Sequence, residues 1–388
     1  MKYMSRFLKR DKTDLLIVVG MVFVWRVCLS VFLFVALRLL PLQQNFLGGG
    51  MSNYLSNPSI WAWVNFDGEH YLAIAREGYK PLTYFFFPLY PVIIGFLARL
   101  LDLNFLGYAI LGLLVSHMTF LLAVVGFWKL IRLSNSRNKS FLAVLLLLFF
   151  PTSFYFAAYY TEALFLAIVV WSFYFARVQK WWLASLLATL GTATRLVGIV
   201  LLPSLIILYF LDMKNILRTW KWFILLLIPA GLLIYMFFLY RSTGDPFEFL
   251  NSVGIFGEQR SSSFILLPQV FYRYFFKVLP NLNNYWPVVF TTLLELFVAI
   301  LYFVLCFYGW RKLKKGELMF LVGGYLIPTL SGSFSSLPRY VLVLFPGYLL
   351  MADLIYKLPR LVRVIVFIIL FFCLGIATSL YVRGYWLS

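Results

Sequence analysis

The chain has 388 residues, 63% of them hydrophobic and only 12% charged, with a formal net charge of +19. Apolar runs of bilayer-spanning length recur from end to end, which excludes the soluble globular classes. The surplus of Lys and Arg sits in short clusters between those runs rather than in one stripe, so it excludes a nucleic-acid surface and fits the rule that basic loops stay cytoplasmic.

The pattern predicts an all-α polytopic membrane protein folded as a single unit over 1–388. After the basic cluster Lys2–Lys12, residues 15–40 form the first crossing; with no small-residue cleavage site behind it, the run reads as a retained helix rather than a signal peptide. Residues 41–105 then lie mostly outside. Within them "FFFPLYPVIIGFLARLL" (85–101) is apolar but short and broken by Pro88 and Pro91, which predicts an interfacial or partly inserted helix. Crossings follow at 106–131, 141–158 and 162–178.

Residues 181–211 carry basic clusters at both ends, which asks for an even number of crossings. Two half-height helices meeting near "TATR" (192–195) satisfy that; a single tilted helix is the alternative. After 222–240, residues 241–284 form a second external segment, and crossings at 285–308, 318–330, 339–356 and 364–382 complete about eleven, with the N-terminus inside and the C-terminus outside. The external segments span about 65 and 44 residues, and a nucleotide-binding domain takes on the order of 100. Substrates therefore arrive through the membrane or from the external face. Cys28, Cys306 and Cys373 sit inside apolar runs and read as small buried hydrophobes.

Charged groups are sparse enough to be weighed singly. "WVNFDGEHYLAIAREGY" (63–79) holds Asp67, Glu69, His70, Arg76 and Glu77 within eleven residues. A structural account makes Asp67 the N-cap of a helix over 68–77 closed by Gly78, with Glu69 in its first turn. A cap needs only one acid, however, and His70 shares a helix face with Asp67. Glu162 in "PTSFYFAAYYTEALF" is either a first-turn acid behind a Thr161 cap or a second acid able to bind sugar hydroxyls. Arg195 and Arg339 interrupt or open apolar runs, and an arginine at membrane depth usually faces a cavity or a partner. A guanidinium there suits a phosphate. His117, inside a crossing, reads as interhelical glue, and Arg260, Arg273 and Lys277 form an external basic patch.

Taken in order, "FDGEHYLAIAREGY", "FFFPLYP", "PTSFYFAAYYTEALFL", "WWLASLLATLGTATRLVGIVLLP", "GDPFEFL" and "SSLPRYVLVLFP" resemble motif blocks of the second glycosylphosphatidylinositol mannosyltransferases, the PIG-V type, and their prokaryotic relatives. The resemblance covers roughly residues 60–350. It implies a GT-C glycosyltransferase with multiple membrane helices, consistent with the roughly eleven crossings counted above, and a polyprenyl- or dolichyl-phosphate sugar as donor. It also implies Asp67 as catalytic base, with Glu162, Arg195 and Arg339 around the site.

The function expected is transfer of a hexose, mannose first, from a polyprenyl phosphate to a hydroxyl of a glycan, lipid or protein acceptor, at the extracytoplasmic face of the cell membrane and with inversion. Asp67 is the candidate base, and Glu69, His70, Glu162, Arg195 and Arg339 are candidate substrate-binding groups. Glu69 stands as the alternative acid. No cofactor is expected, and since no metal cage is visible the expected reaction needs no metal. A flippase for a polyprenyl-linked sugar would use the same arginines without chemistry but should show paired halves with broken helices, which the sequence lacks. A scaffold without a site would tolerate neutral changes at Asp67 and Arg339.

Overall fold

The computed structural model describes residues 2–45, 47–212, 220–251, 265–282 and 284–387, and among the described residues every regular element is a helix. The chain opens with α1 (Lys2–Leu39), whose apolar part from Lys12 onward can span a bilayer. Two short helical segments, Gly50–Ser56 and Pro58–Trp61, and a 3-10 turn over Ala62–Val64 lead to α2 (Asp67–Glu77), and α3 (Leu89–Leu100) follows. The second long span is α4 (Phe105–Arg132); α5 (Arg137–Leu148), α6 (Glu162–Arg177), α7 (Trp181–Thr192) and α8 (Leu201–Asp212) follow. A third span, Trp222–Thr243, ends in α9 (Ala230–Thr243). Then come the short α10 (Leu267–Arg273), the spans α11 (Trp286–Gly309) and α15 (Arg360–Val382), and between them α12 (Lys315–Thr329), α13 (Leu337–Tyr340) and α14 (Phe345–Tyr356).

The molecule is an all-α polytopic membrane protein. Among the described residues, 5 helices cross a bilayer by length and composition, or up to 6 if a bent pair counts as one. The other expected crossings are shorter helices, of 12 to 16 residues. The stretch 181–211 forms two short helices, α7 and α8, joined through Ala193–Arg195 and a 3-10 turn over Leu196–Val200, the paired arrangement rather than the tilted one. The stretch 339–356 differs from a straight crossing. The chain bends by 89° between Leu337–Val343 and Phe345–Tyr356, where Pro346 at the start of α14 has no N–H to continue the preceding turn.

Lipid-facing surfaces explain the composition. α1 and α15 pack on each other and leave rows such as Phe23, Val27 and Val31, or Leu361, Ile365 and Ile368, exposed, as helix faces meant for acyl chains are. Inside, α4 lies along α6. At Gly112 a Cβ would sit 1.9 Å from the Tyr159 ring, so glycine is what admits that tyrosine. His117 ties α4 to α1, as an interhelical residue should: Arg26 Nε donates to its Nε2 at 2.8 Å.

Ion pairs gather the basic clusters at one end. Arg137 meets Asp14 (2.7 Å), Lys139 meets Asp353 (2.6 Å) and Arg177 meets Glu317 (2.8 Å). α6 begins at Glu162 and ends at Arg177, so Glu162 stands about 22 Å from that end at 1.5 Å per residue.

Candidate functional site

The loop before α2 is held from three sides through Asn65. Its Oδ1 accepts from the Gly48 N–H (2.8 Å), its Nδ2 donates to the Tyr381 carbonyl (3.0 Å), and its own carbonyl receives the Tyr160 hydroxyl (3.0 Å). The Tyr159 N–H also donates to the Trp63 carbonyl at 2.8 Å, lacing this loop to the segment that leads into Glu162. Phe66 then adopts φ 57°, ψ −122°, a left-handed conformation a non-glycine residue takes only when its surroundings demand it. That turn starts α2 at Asp67. Gly78, at φ 83°, closes the helix with its N–H on the Ile74 carbonyl.

Asp67 does not cap α2. It is the first helical residue, and its side chain turns to Arg339: Nη1 donates to Oδ2 at 2.7 Å. Thr161 likewise makes no side-chain cap for α6; its hydroxyl accepts from Arg195 Nη1 at 3.1 Å. In both places a nearby guanidinium offers a charge-assisted bond, which is stronger than a neutral cap.

Glu162 stands in the middle. Its Oε1 lies 2.5 Å from Arg195 Nη1 and 3.3 Å from Arg339 Nε. These are ion pairs by distance, and neither is aligned as a hydrogen bond: among the described residues both Glu162 oxygens and Arg339 Nε lack a hydrogen-bond partner. The result is a row of alternating charge, Asp67, Arg339, Glu162, Arg195, drawn from α2, α13, α6 and the loop after α7. Two acids balance two arginines.

Aromatic rings wall the row. The Arg339 guanidinium carbon lies 5.4 Å from the Tyr160 ring centroid, 5.5 Å from Tyr340 and 5.6 Å from Tyr155, and Arg195 lies 5.3 Å from Tyr340. Such faces favour cations that have lost water. Burial is graded along the row: the Glu162 side chain is 1% exposed, both arginines 10%, and Asp67 19%. Asp67 is the most exposed end of the row.

The remaining predicted residues sit elsewhere. Glu69 Oε1 accepts from the Gly50 N–H at 3.3 Å, and Glu69 and His70 line a separate recess with Gly49 and Arg76. Burial raises the Glu69 pKa, against the pull of the Gly50 and Gly49 N–H groups. His70 stacks on Phe86, with centroids 4.9 Å apart; burial lowers its pKa while the Asp67 charge opposes that. The predicted set therefore divides: Asp67, Glu162, Arg195 and Arg339 converge, and Glu69 and His70 form a neighbouring group. Of the basic patch, Arg260 lies outside the described residues, while Arg273 and Lys277 line a cavity beside the row. The sequence reading passed over Asn65, the tyrosine wall and Glu295; only Glu295 carried a signal, as an acid inside an apolar run.

A family model described as Mannosyltransferase (PIG-V) matches residues 18–242, a stretch that contains Asp67, Glu162 and Arg195. Arg339 lies beyond it and joins the row through the fold. No curated protein matches the chain. With more than half of its length inside the family model, the chain belongs to the PIG-V mannosyltransferase family and is a membrane glycosyltransferase.

Proposed function

We propose that the protein transfers mannose from a polyprenyl phosphate to an acceptor hydroxyl, at the extracytoplasmic membrane surface and in one inverting displacement. The observation that carries this reading is the bond between Asp67 and Arg339, residues 272 apart in the chain. It fixes the orientation of the one acid of the row that remains accessible.

As the acceptor oxygen attacks the anomeric carbon, its proton passes to Asp67 and the bond from that carbon to the phosphate oxygen breaks. The electron pair leaves with the lipid phosphate. One displacement inverts the centre. Arg339 keeps the carboxylate aimed, and Glu162 with Arg195 keeps Arg339 in place; this is the pre-organisation a positioned base needs. A lipid-borne donor also suits the setting. The row lies about 22 Å from the basic end, shallower than the roughly 30 Å hydrocarbon core, at a depth where a lipid phosphate near the interface can meet it.

The test is transfer from radiolabelled polyprenyl-phosphate-mannose in membranes containing the protein. Asp67→Asn is expected to lower the rate by about 10²–10⁴. Glu69→Gln, in the neighbouring recess, is expected to stay within about tenfold, since the amide oxygen of glutamine can still accept from the Gly50 N–H and only the charge is lost. Full activity in Asp67→Asn would reject the assignment, and the reverse ranking would move the base to Glu69.

A further inference from the structure

A second cavity, about 620 Å³, opens beside the charged row. Its wall includes Phe66, the residue before Asp67, and Ser333 and Ser335 on the loop that runs into Arg339. Both halves of the Asp67–Arg339 pair are thus joined through the backbone to this space. Nothing in the proposed proton transfer uses it.

The chemistry of the cavity changes with depth. On α11, Thr291 and Glu295 are four residues apart, so they face the same way. Both are buried, at 7% and 6% exposed. The Tyr274 hydroxyl donates to Glu295 Oε2 at 2.9 Å, while the Thr291 hydroxyl is buried with no hydrogen-bond partner among the described residues. A carboxylate and a hydroxyl on an inner wall suit the hydroxyls of a sugar.

The same cavity is lined by Arg273, which ends α10, and by Lys277, four residues later in the π-helical turn Tyr274–Val278. Arg273 Nη1 donates to the Gly332 carbonyl at 3.2 Å, which anchors it beside the same loop. At the rim Trp386 is 54% and Val288 45% exposed, an aromatic and an apolar group at the mouth. Of the charged groups lining the cavity, Lys277 and Arg273 are the ones that attract an anion, and Glu295 is the one that repels it.

We infer that this cavity holds the phosphate of a lipid-linked sugar, with Lys277 and Arg273 gripping the phosphate, Thr291 and Glu295 facing sugar hydroxyls, and the apolar tail leaving past Val288. The inference rests on the lipid-donor reading and deepens it. It gives the phosphate a cation outside the row, Lys277, where Arg339 and Arg195 already face Asp67 and Glu162. Lys277 is then a substrate-binding residue set apart from the base.

The experiment measures binding of a polyprenyl monophosphate to the full-length protein in phosphatidylcholine nanodiscs. Unphosphorylated polyprenol, phosphatidylglycerol and inorganic phosphate serve as competitors. Lys277→Gln and Arg273→Gln are each expected to weaken binding by about tenfold to a hundredfold, the worth of a charge-assisted hydrogen bond. Lys277→Arg should keep it, and Asp67→Asn should bind like the wild type while failing to transfer. Arg273 also supports the 332 loop, so Lys277 is the deciding position. Wild-type binding in Lys277→Gln overturns the inference and leaves the transferase reading standing. Equal competition by phosphatidylglycerol also overturns it, in favour of an ordinary anionic-lipid site. A wild-type protein that neither binds polyprenyl phosphate nor transfers from it brings down both.

Discussion

At the scale of single residues, the charges were legible and their pairing was not. Arg195 and Arg339 declare themselves because guanidinium groups are costly inside apolar runs. Asp67 and Glu162 are two of only fourteen acids. Nothing local says that Arg339 takes Asp67 rather than lipid, or that the helix begins at Asp67 with Phe66 in the cap position; the deciding bond spans 272 residues. Buried ion pairs are poor evidence of net stabilisation, but breaking one leaves an uncompensated charge and costs about 3–5 kcal/mol. Glu162 is the test case because its side chain is 1% exposed and it faces two arginines. Glu162→Gln is expected to lower stability by about 3–5 kcal/mol in detergent unfolding experiments. Adding Arg195→Gln should recover part of the loss by removing the orphaned charge. If Glu162→Gln unfolds at the wild-type temperature, charge balance does not hold the row together.

At the scale of elements, sequence arithmetic found what periodicity could not. Basic clusters on both sides of 181–211 demanded two passes, and α7 and α8 provide two short helices with Arg195 in the joint. The 89° bend before α14 was harder to read, because prolines at 338 and 346 are compatible with a kinked crossing as well as a broken one. Close approach of helices is subtler still, since it depends on which glycine meets which ring. Gly112→Ala would drive a methyl group to 1.9 Å from the Tyr159 ring. Tyr159 stacks edge-on against Tyr90 and leads within three residues to Glu162, so it has little room to give. Gly112→Ala is expected to destabilise by about 1–3 kcal/mol and to reduce transfer by shifting Glu162. Gly20→Ala, where nothing lies within 4 Å, is the matched control and should be neutral or slightly stabilising. Equal behaviour of the two variants would mean that the contact of α4 with the segment before α6 relaxes freely.

At the scale of the whole molecule, the two ends have opposite chemistry. One end collects Asp14, Arg137, Lys139, Arg177, Glu317 and Asp353 in ion pairs, and the other holds the row that begins at Asp67. In the proposed orientation the basic end lies in the cytoplasm, as the positive-inside rule would have it; Asp67 would then face the opposite side, where a lipid-borne sugar is the natural donor. Single-cysteine labelling tests this assignment directly once Cys28, Cys306 and Cys373 are replaced by alanine. Ser56 is exposed at the end of the short helix Gly50–Ser56 that precedes α2, and Asn138 is exposed in the first turn of α5 beside Arg137 and Lys139. In intact cells a membrane-impermeant maleimide is expected to modify Ser56→Cys at once and Asn138→Cys only after lysis. Labelling of Asn138→Cys alone would invert the protein and put the Asp67 carboxylate in the cytoplasm, within reach of soluble sugar nucleotides. The case for a polyprenyl donor would then lose its main physical support, while the row of paired charges would stand unchanged.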